Sequence, residues 1–255
     1  MFKRMLWGAL FLVSFTGSAV AQDVRVEFEG RYWFPDLDAK AQAVESNVGT
    51  EFDMKSDLGI KNENFPEGRF IWHTGPHSQI RFSYTQAKYE GDQTVPRTVN
   101  FEGQTYTGGT RVISDFNLLY FEAGWIWQFI HFWDDKVKLG TLIEGSGVFT
   151  DITLEAPNLA PPVKESQQYI AGLPTGGLAL TIEPYEWVGL FAEASGFPAG
   201  SYGYFFDGEG GVKFTPIRNL TLKGGYRIIT LKADSDPDFI KVDLSGFFVG
   251  GSLRF

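Results

Sequence analysis

A chain of 255 residues with 30 glycines, 16% aromatic side chains and no cysteine has the length of one barrel or of one to two soluble domains, and it carries no thiol for a disulfide or a lipid anchor. Its net charge of −9, from 22 basic against 31 acidic residues, argues against nucleic acid as a partner, because phosphate binding needs concentrated Lys and Arg. After residue 22 no run of about 18 consecutive apolar residues occurs, which excludes a transmembrane helix there.

The N-terminus reads Met1-Phe-Lys-Arg, continues as an apolar run from Met5 to Phe15, and closes on Ala19-Val-Ala21. A basic start, a short apolar run and an A-x-A ending predict a secretory signal peptide over 1–21, cut before Gln22. Its removal leaves 20 basic and 31 acidic residues in a domain spanning 22–255, a net charge of −11.

Alternation with period two then recurs along the chain. In the predicted strand 24–34, Val24, Val26, Phe28, Tyr32 and Phe34 share a face with Gly30, while Arg25, Glu27, Glu29 and Arg31 take the other. A strand at 66–73 carries Arg69, and in 79–90 Ile80, Phe82 and Tyr84 alternate with Arg81, Ser83 and Thr85. The stretch "YFEAGWIWQFIHFW" lies in the strand 111–130. Leu119, Phe121, Ala123, Trp125, Trp127 and Phe129 form one wholly apolar face, and Glu122 and Gln128 lie on the other. A helix would give those polar groups no stripe of their own. In 137–154, Leu139, Ile143 and Phe149 oppose Lys138 and Glu144. A strand at 168–182 contains Pro174, where a bulge or a strand end is expected, and 187–196 carries Glu193. Tyr204, Phe206, Val212 and Phe214 oppose Asp207, Glu209 and Lys213 in 202–214; Leu220, Leu222, Tyr226 and Ile228 oppose Lys223 and Arg227 in 220–232. In 240–255, Val242 and Leu244 fall out of phase with Phe247 and Val249, which predicts a bulge near Gly246.

Breaks between strands alternate short and long: short near 74–78, 131–136, 183–187 and 215–219, longer near 35–65, 90–110, 155–167, 197–201 and 233–239. Transmembrane barrels have short periplasmic turns and longer external loops. The count is ten strands, with eight or twelve as alternatives, an extra hairpin within 98–108 and a further short strand at 52–60. Trp72, Trp125, Trp127, Tyr185 and Trp187 sit beside the short turns, as an interfacial girdle does.

The chain ends "FFVGGSLRF", with Phe247, Val249, Leu253 and Phe255 on one face. This ending resembles the C-terminal signal of bacterial outer-membrane β-barrels, which their assembly machinery reads. The resemblance covers the class and names no subfamily. It implies an all-β, transmembrane, antiparallel up-and-down β-barrel in the outer membrane. Its partners would be outer-membrane lipid, lipopolysaccharide and that machinery; the external partner is not named by any motif.

The face assignment puts Glu27, Glu29, Glu122, Glu144, Glu193, Asp207 and Glu209 in the lumen, opposite Arg25, Arg31, Arg69, Arg81, Lys138, Lys213, Lys223, Arg227 and Arg254. Buried charges persist when paired and hydrogen-bonded, and small barrels fill their interiors with side chains. A narrow or plugged, salt-bridged lumen follows.

Some outer-membrane barrels of similar size are enzymes, among them omptin-like proteases and lipid A deacylases; that resemblance implies a catalytic His with acidic or Ser partners near the outer rim. Here His73, His77 and His131 all fall at the first two short turns, on the periplasmic side, far from an external substrate. No enzyme is expected. Neighbouring hairpins place these turns side by side, so the three imidazoles could meet and bind a transition metal, but no HxH or HExxH spacing supports it; they read as interfacial polar residues, and no cofactor motif is present. "DSDPD", with Asp234, Asp236 and Asp238, lacks the Gly and distal Glu of an EF-hand and reads as a solvated turn. The acids of 35–65, among them Asp36, Asp38, Asp53 and Asp57, read as a solvated loop, with contact to divalent cations on lipopolysaccharide as the sharper alternative. "PTGGLAL" lies on a strand and is no nucleotide loop. The expected function is a non-enzymatic barrel in a structural or interaction role, or in limited small-solute passage, with loops 35–65 and 90–110 as its contact surface. The alternatives are an outer-membrane hydrolase of lipid or peptide, and a soluble periplasmic carrier with an apolar lumen. A narrow channel for apolar solutes would need a lateral gap, at Pro174 or Gly196–Gly203.

Overall fold

A computed structural model describes residues 25–45, 48–101, 104–235 and 238–255. The predicted signal peptide lies outside the described residues, as does Asp236 of "DSDPD". The strands are β1 (Arg25–Glu45), β2 (Val48–Asp53), β3 (Phe65–Gly75), β4 (Ser78–Thr94), β5 (Val99–Phe101), β6 (Gln104–Tyr106), β7 (Arg111–Phe132), β8 (Val137–Ala156), β9 (Val163–Tyr185), β10 (Val188–Pro198), β11 (Gly203–Ile217), β12 (Leu220–Ser235) and β13 (Asp238–Arg254). Ten of them, β1, β3, β4 and β7 through β13, form an antiparallel meander, and β13 pairs with β1 to close it. Closure gives every wall strand a neighbour on each side, as a chain in lipid requires, although β4 is without β3 beyond Thr85 and β9 without β10 beyond Gly176.

The faces follow the alternation. Along β7, Tyr120, Glu122, Gly124 and Ile126 are buried, whereas Phe121, Trp127 and Phe129 are exposed on the outside. Phe28, Tyr32, Phe82, Ile143, Tyr204, Leu222 and Phe247 continue this outward apolar band around the barrel. Stacked rings mark its edge at the short turns: Trp125 on Trp127 at 6.0 Å and Tyr185 on Trp187 at 5.7 Å. Toward the long loops the outward positions turn polar, with ion pairs such as Lys88–Glu90, Arg111–Asp92 and Lys241–Asp243. The strands therefore continue past the apolar band.

That continuation corrects the loop boundaries. The segment 35–65 is no loop at its start: β1 runs on to Glu45, and β2 folds back along it where β3 has ended. The short strand expected at 52–60 is displaced to Val48–Asp53. Asp53 stops it, because its Oδ1 accepts from the backbone N–H groups of Lys55 and Ser56 at 2.9 and 2.8 Å and turns the chain. The hairpin within 98–108 is present as β5–β6.

Neither predicted bulge forms. The β8–β9 register passes Gly145↔Pro174 without a shift. Pairing of β9 with β10 ends at Gly176↔Gly196, so Pro174 lies where β9 has lost that neighbour and behaves as an edge strand, the place in a sheet that tolerates proline. β13 likewise runs unshifted through Gly246 against both neighbours. Leu244 is buried inside, with Val242 against the same core, because the lumen at that height is apolar. Gly246 is needed for close approach instead: a Cβ there would collide with the Phe34 carbonyl oxygen.

Candidate functional site

The inward faces build a lumen of two storeys. Midway along the barrel, β1 supplies Arg31, β3 Glu67 and Arg69, β4 Arg81, β7 Glu122, β8 Glu144, β10 Glu193, β11 Asp207 and Glu209, and β12 Arg227. Glu67 is the hub: its carboxylate lies 2.8 Å from Arg31, 2.6 Å from Arg69 and 2.6 Å from Arg227. Arg69 donates two hydrogen bonds to Glu209, at 3.0 and 2.8 Å. Arg81 donates to Glu193 at 2.6 Å and to Glu144 at 2.9 Å, and Ser195 donates to the other Glu144 oxygen at 3.0 Å. Arg227 donates to Asp207 and, at 3.2 Å, to Glu122, which also accepts from Tyr120 at 3.1 Å. Most of these partners are not neighbours in the wall, so the bonds cross the bore. Gly124 makes room for them: a Cβ there would meet the Glu144 side chain at 2.8 Å.

The gap left among Arg69, Arg81, Glu122, Glu144, Asp207 and Arg227 is about 10 Å³, at most one water. Nearer the short turns the charges continue. Glu27 lies 2.8 Å from Arg254 and 3.2 Å from His73, Glu29 pairs with Lys223, and Glu183 lies 3.0 Å from Lys138 and 2.7 Å from Lys213.

All the lumen charges named from the sequence except Arg25 enter these pairs. Arg25 is exposed at the first position of β1 and joins none of the ion pairs among the described residues, because the chain there has reached the rim. Glu67 and Glu183 were missed. Glu67 follows Pro66 at the edge of its predicted strand, yet shares parity with Arg69; Glu183 lies one residue beyond the predicted end of its own.

Above the plug the same inward register turns apolar. Trp33, Leu37, Phe116, Ile152, Phe205 and Phe248 pack as one core, and Met54, Leu58, Ile60, Val95 and Tyr106 from the two long connections close it from above. Aromatic rings meet the guanidiniums at the boundary: Arg31 lies 4.5 Å from the Phe248 ring centre and Arg227 5.4 Å from that of Trp33. Alternation in the sequence predicts charge throughout the lumen; the apolar storey corrects that expectation. The lid is latched by Asp57 and Arg97, which form two hydrogen bonds of 3.2 and 2.6 Å. Burial pushes the Asp57 carboxyl up, but the Arg97 guanidinium and the Asp53 backbone N–H outweigh it and hold the carboxyl below the usual range.

The three histidines lie at the short-turn rim, as their sequence positions imply. His77 and His131 pack ring against ring, 3.9 Å between centres, while His73 is engaged with Glu27. The outward-facing Phe247, Val249, Leu253 and Phe255 are all exposed along the end of the chain.

No protein-family model matches the sequence, and no curated protein matches it. Among solved structures the chain is similar to the outer membrane protease OmpT from Escherichia coli, at 8% identity over 94% of this chain and 99% of that one, with a TM-score of 0.56. It is also similar to the translocator domain of autotransporter NalP from Neisseria meningitidis (10% identity, 92% and 90% covered, TM-score 0.48) and to the outer membrane protein OprG from Pseudomonas aeruginosa (8%, 91% and 96%, 0.43). Identities this low speak for the fold alone, and OmpT carries that comparison. The ten-stranded closed meander is the fold of bacterial outer-membrane β-barrel proteins.

Proposed function

We propose that the protein is a non-enzymatic outer-membrane barrel, closed by its ion network, that serves envelope structure or contact with an external partner. The observation that carries this reading is the plug: guanidinium–carboxylate bonds crossing the bore with about 10 Å³ between them. A bore so filled offers a hydrated solute no path. In this reading the signal peptide is removed at export, the short turns face the periplasm, and the lidded end faces outward. The C-terminal face of Phe247, Val249, Leu253 and Phe255 is what the assembly machinery reads. The polar collar above the apolar band meets lipopolysaccharide headgroups. There, an open groove of about 380 Å³ on the outer wall is lined by Lys88, Asp115, Asp151 and Lys164 among others, offering both charge signs. The absence of catalysis rests on the position of all three histidines at the periplasmic rim, out of reach of an external substrate.

A second reading, limited passage of a small apolar solute, is favoured by one observation. Beyond Gly176, β9 has no β10 partner, so its edge is unpaired beside the apolar storey. A solute would displace the packed core there and leave sideways.

The native chain has no cysteine, so single introduced thiols report topology. Ser56→Cys should react with a membrane-impermeant maleimide on intact cells, and Asp134→Cys only after the outer membrane is permeabilised. Recovery in the soluble periplasmic fraction, or the reverse labelling pattern, would overturn the reading.

A further inference from the structure

We infer that His77, His131 and Asp135 form a binding site for one divalent transition-metal ion of the zinc, cobalt and nickel class at the short-turn rim. His77 lies in the turn between β3 and β4, and His131 near the end of β7. The sheet brings them together: Ser78 pairs with Trp127, and the Gln128 N–H donates to the His77 carbonyl at 2.8 Å. The two imidazoles then sit 3.9 Å apart, inclined at 55°. The chain next turns back through Trp133, Asp134 and Asp135, three successive side-chain-bearing residues with φ of 54°, 52° and 62°. This left-handed run is costly for such residues, and it returns the Asp135 carboxylate to 3.2 Å from His131 Nδ1. One ligand atom from each of the three residues lies within 4.8 Å of the others. Around a zinc-sized ion, with ligands about 2.0–2.2 Å from the metal, neighbouring donor atoms stand about 3.4 Å apart. Small side-chain rotations close that difference.

The hydrogen-bonding pattern leaves these atoms wanting a cation. His131 Nε2 lies 3.0 Å from the Gln128 carbonyl oxygen, which can only accept, so Nε2 carries the proton. That leaves the Nδ1 lone pair facing a carboxylate oxygen, two acceptors with nothing between them. His77 Nδ1 is also buried without a hydrogen-bond partner. A proton on His131 Nδ1 would pair that ring with Asp135 but leave His77 Nδ1 without a partner, whereas one metal ion meets an imidazole nitrogen of each histidine and the carboxylate at once. The Gln128 carbonyl is the kind of support that orients a ligating imidazole. Two imidazoles and one carboxylate suit borderline transition metals, whereas magnesium and calcium prefer all-oxygen sites. Asp135 is 60% exposed at its side chain, so the ion's remaining position opens to solvent and takes water. Bound there, the ion ties the β3–β4 turn to the β7–β8 turn.

The test is cobalt titration of the folded mature chain, in detergent and without a polyhistidine tag. One equivalent of Co²⁺ should bind and develop visible d–d absorption. His77→Ala and His131→Ala should each weaken binding at least about tenfold, while Asp134→Asn, in the same turn, binds as the wild type does. The absence of a stoichiometric cobalt spectrum in the wild type, or equal binding by the two histidine variants, overturns the site. Should those variants fail to fold, the wild type alone decides: Zn²⁺ should raise its unfolding temperature and Mg²⁺ should not, and equal effects of the two ions count against the proposal.

Discussion

At the scale of single residues, the plug is organised by Glu67. Its side chain is inaccessible to solvent and faces three guanidiniums, so Glu67→Ala should strand positive charge inside the bore. Removing one partner of a buried pair costs about 3–5 kcal/mol, measurable as a lower midpoint in urea unfolding from lipid vesicles. Glu122→Leu should cost less, because Arg227 keeps Asp207 and Glu67; equal losses in the two variants would mean that Glu67 is no hub. Most of this network was legible from parity alone, since Glu27, Glu29, Arg31, Arg81, Glu122 and Arg227 all fall opposite an apolar face. Arg25 obeyed the same parity and still lies outside the network, because alternation gives the face of a residue but not its height. Glu67 and Glu183 escaped for the related reason that proline beside each of them blurs a strand's end.

At the scale of elements, the outward faces set where lipid can be tolerated. Phe121 lies in the middle of the apolar run on β7, and Trp127 at its short-turn edge. Phe121→Arg should impair insertion into vesicles by about 2–4 kcal/mol, and Trp127→Arg by distinctly less, since the penalty falls toward the interface. Insertion unaffected by Phe121→Arg would mean the face is not lipid-exposed. The lid is the other element with a distinct signature. Asp57 titrates below its unfolded value, so the latch contributes stability above about pH 4 and loses it as pH falls through the folded pKa. Arg97→Ala should remove that acid sensitivity, and at neutral pH it should expose the connection around Ser56 to limited proteolysis. The bulge expected in β13, and the bulge or strand end expected at Pro174 in β9, came from treating the lumen as uniformly polar and the wall as uniformly paired. Val242 and Leu244 needed no bulge once the upper storey proved apolar, and Pro174 needed none once β10 stopped short of it.

At the scale of the whole molecule, strand number, closure and the direction of each face were readable because lipid and lumen impose opposite demands on alternate residues. The division of the lumen into a charged storey and an apolar one was not, since an inward Leu37 or Ile152 carries the same pattern as a residue facing lipid. Only pairing across the bore, between strands far apart in sequence, shows that Arg227 reaches Glu122 and that Trp33 covers it. The meeting of His77 with His131 was open to the hairpin order, which sets the two turns side by side, but no spacing motif singled it out. The bore is proposed to be shut, first of all by its own ions. Single-channel recording of the folded, heat-modifiable mature chain in a planar bilayer tests this most directly. With the ion network and the packed apolar storey in series, the wild type should be electrically silent; discrete conductance steps from the wild type would contradict that closure.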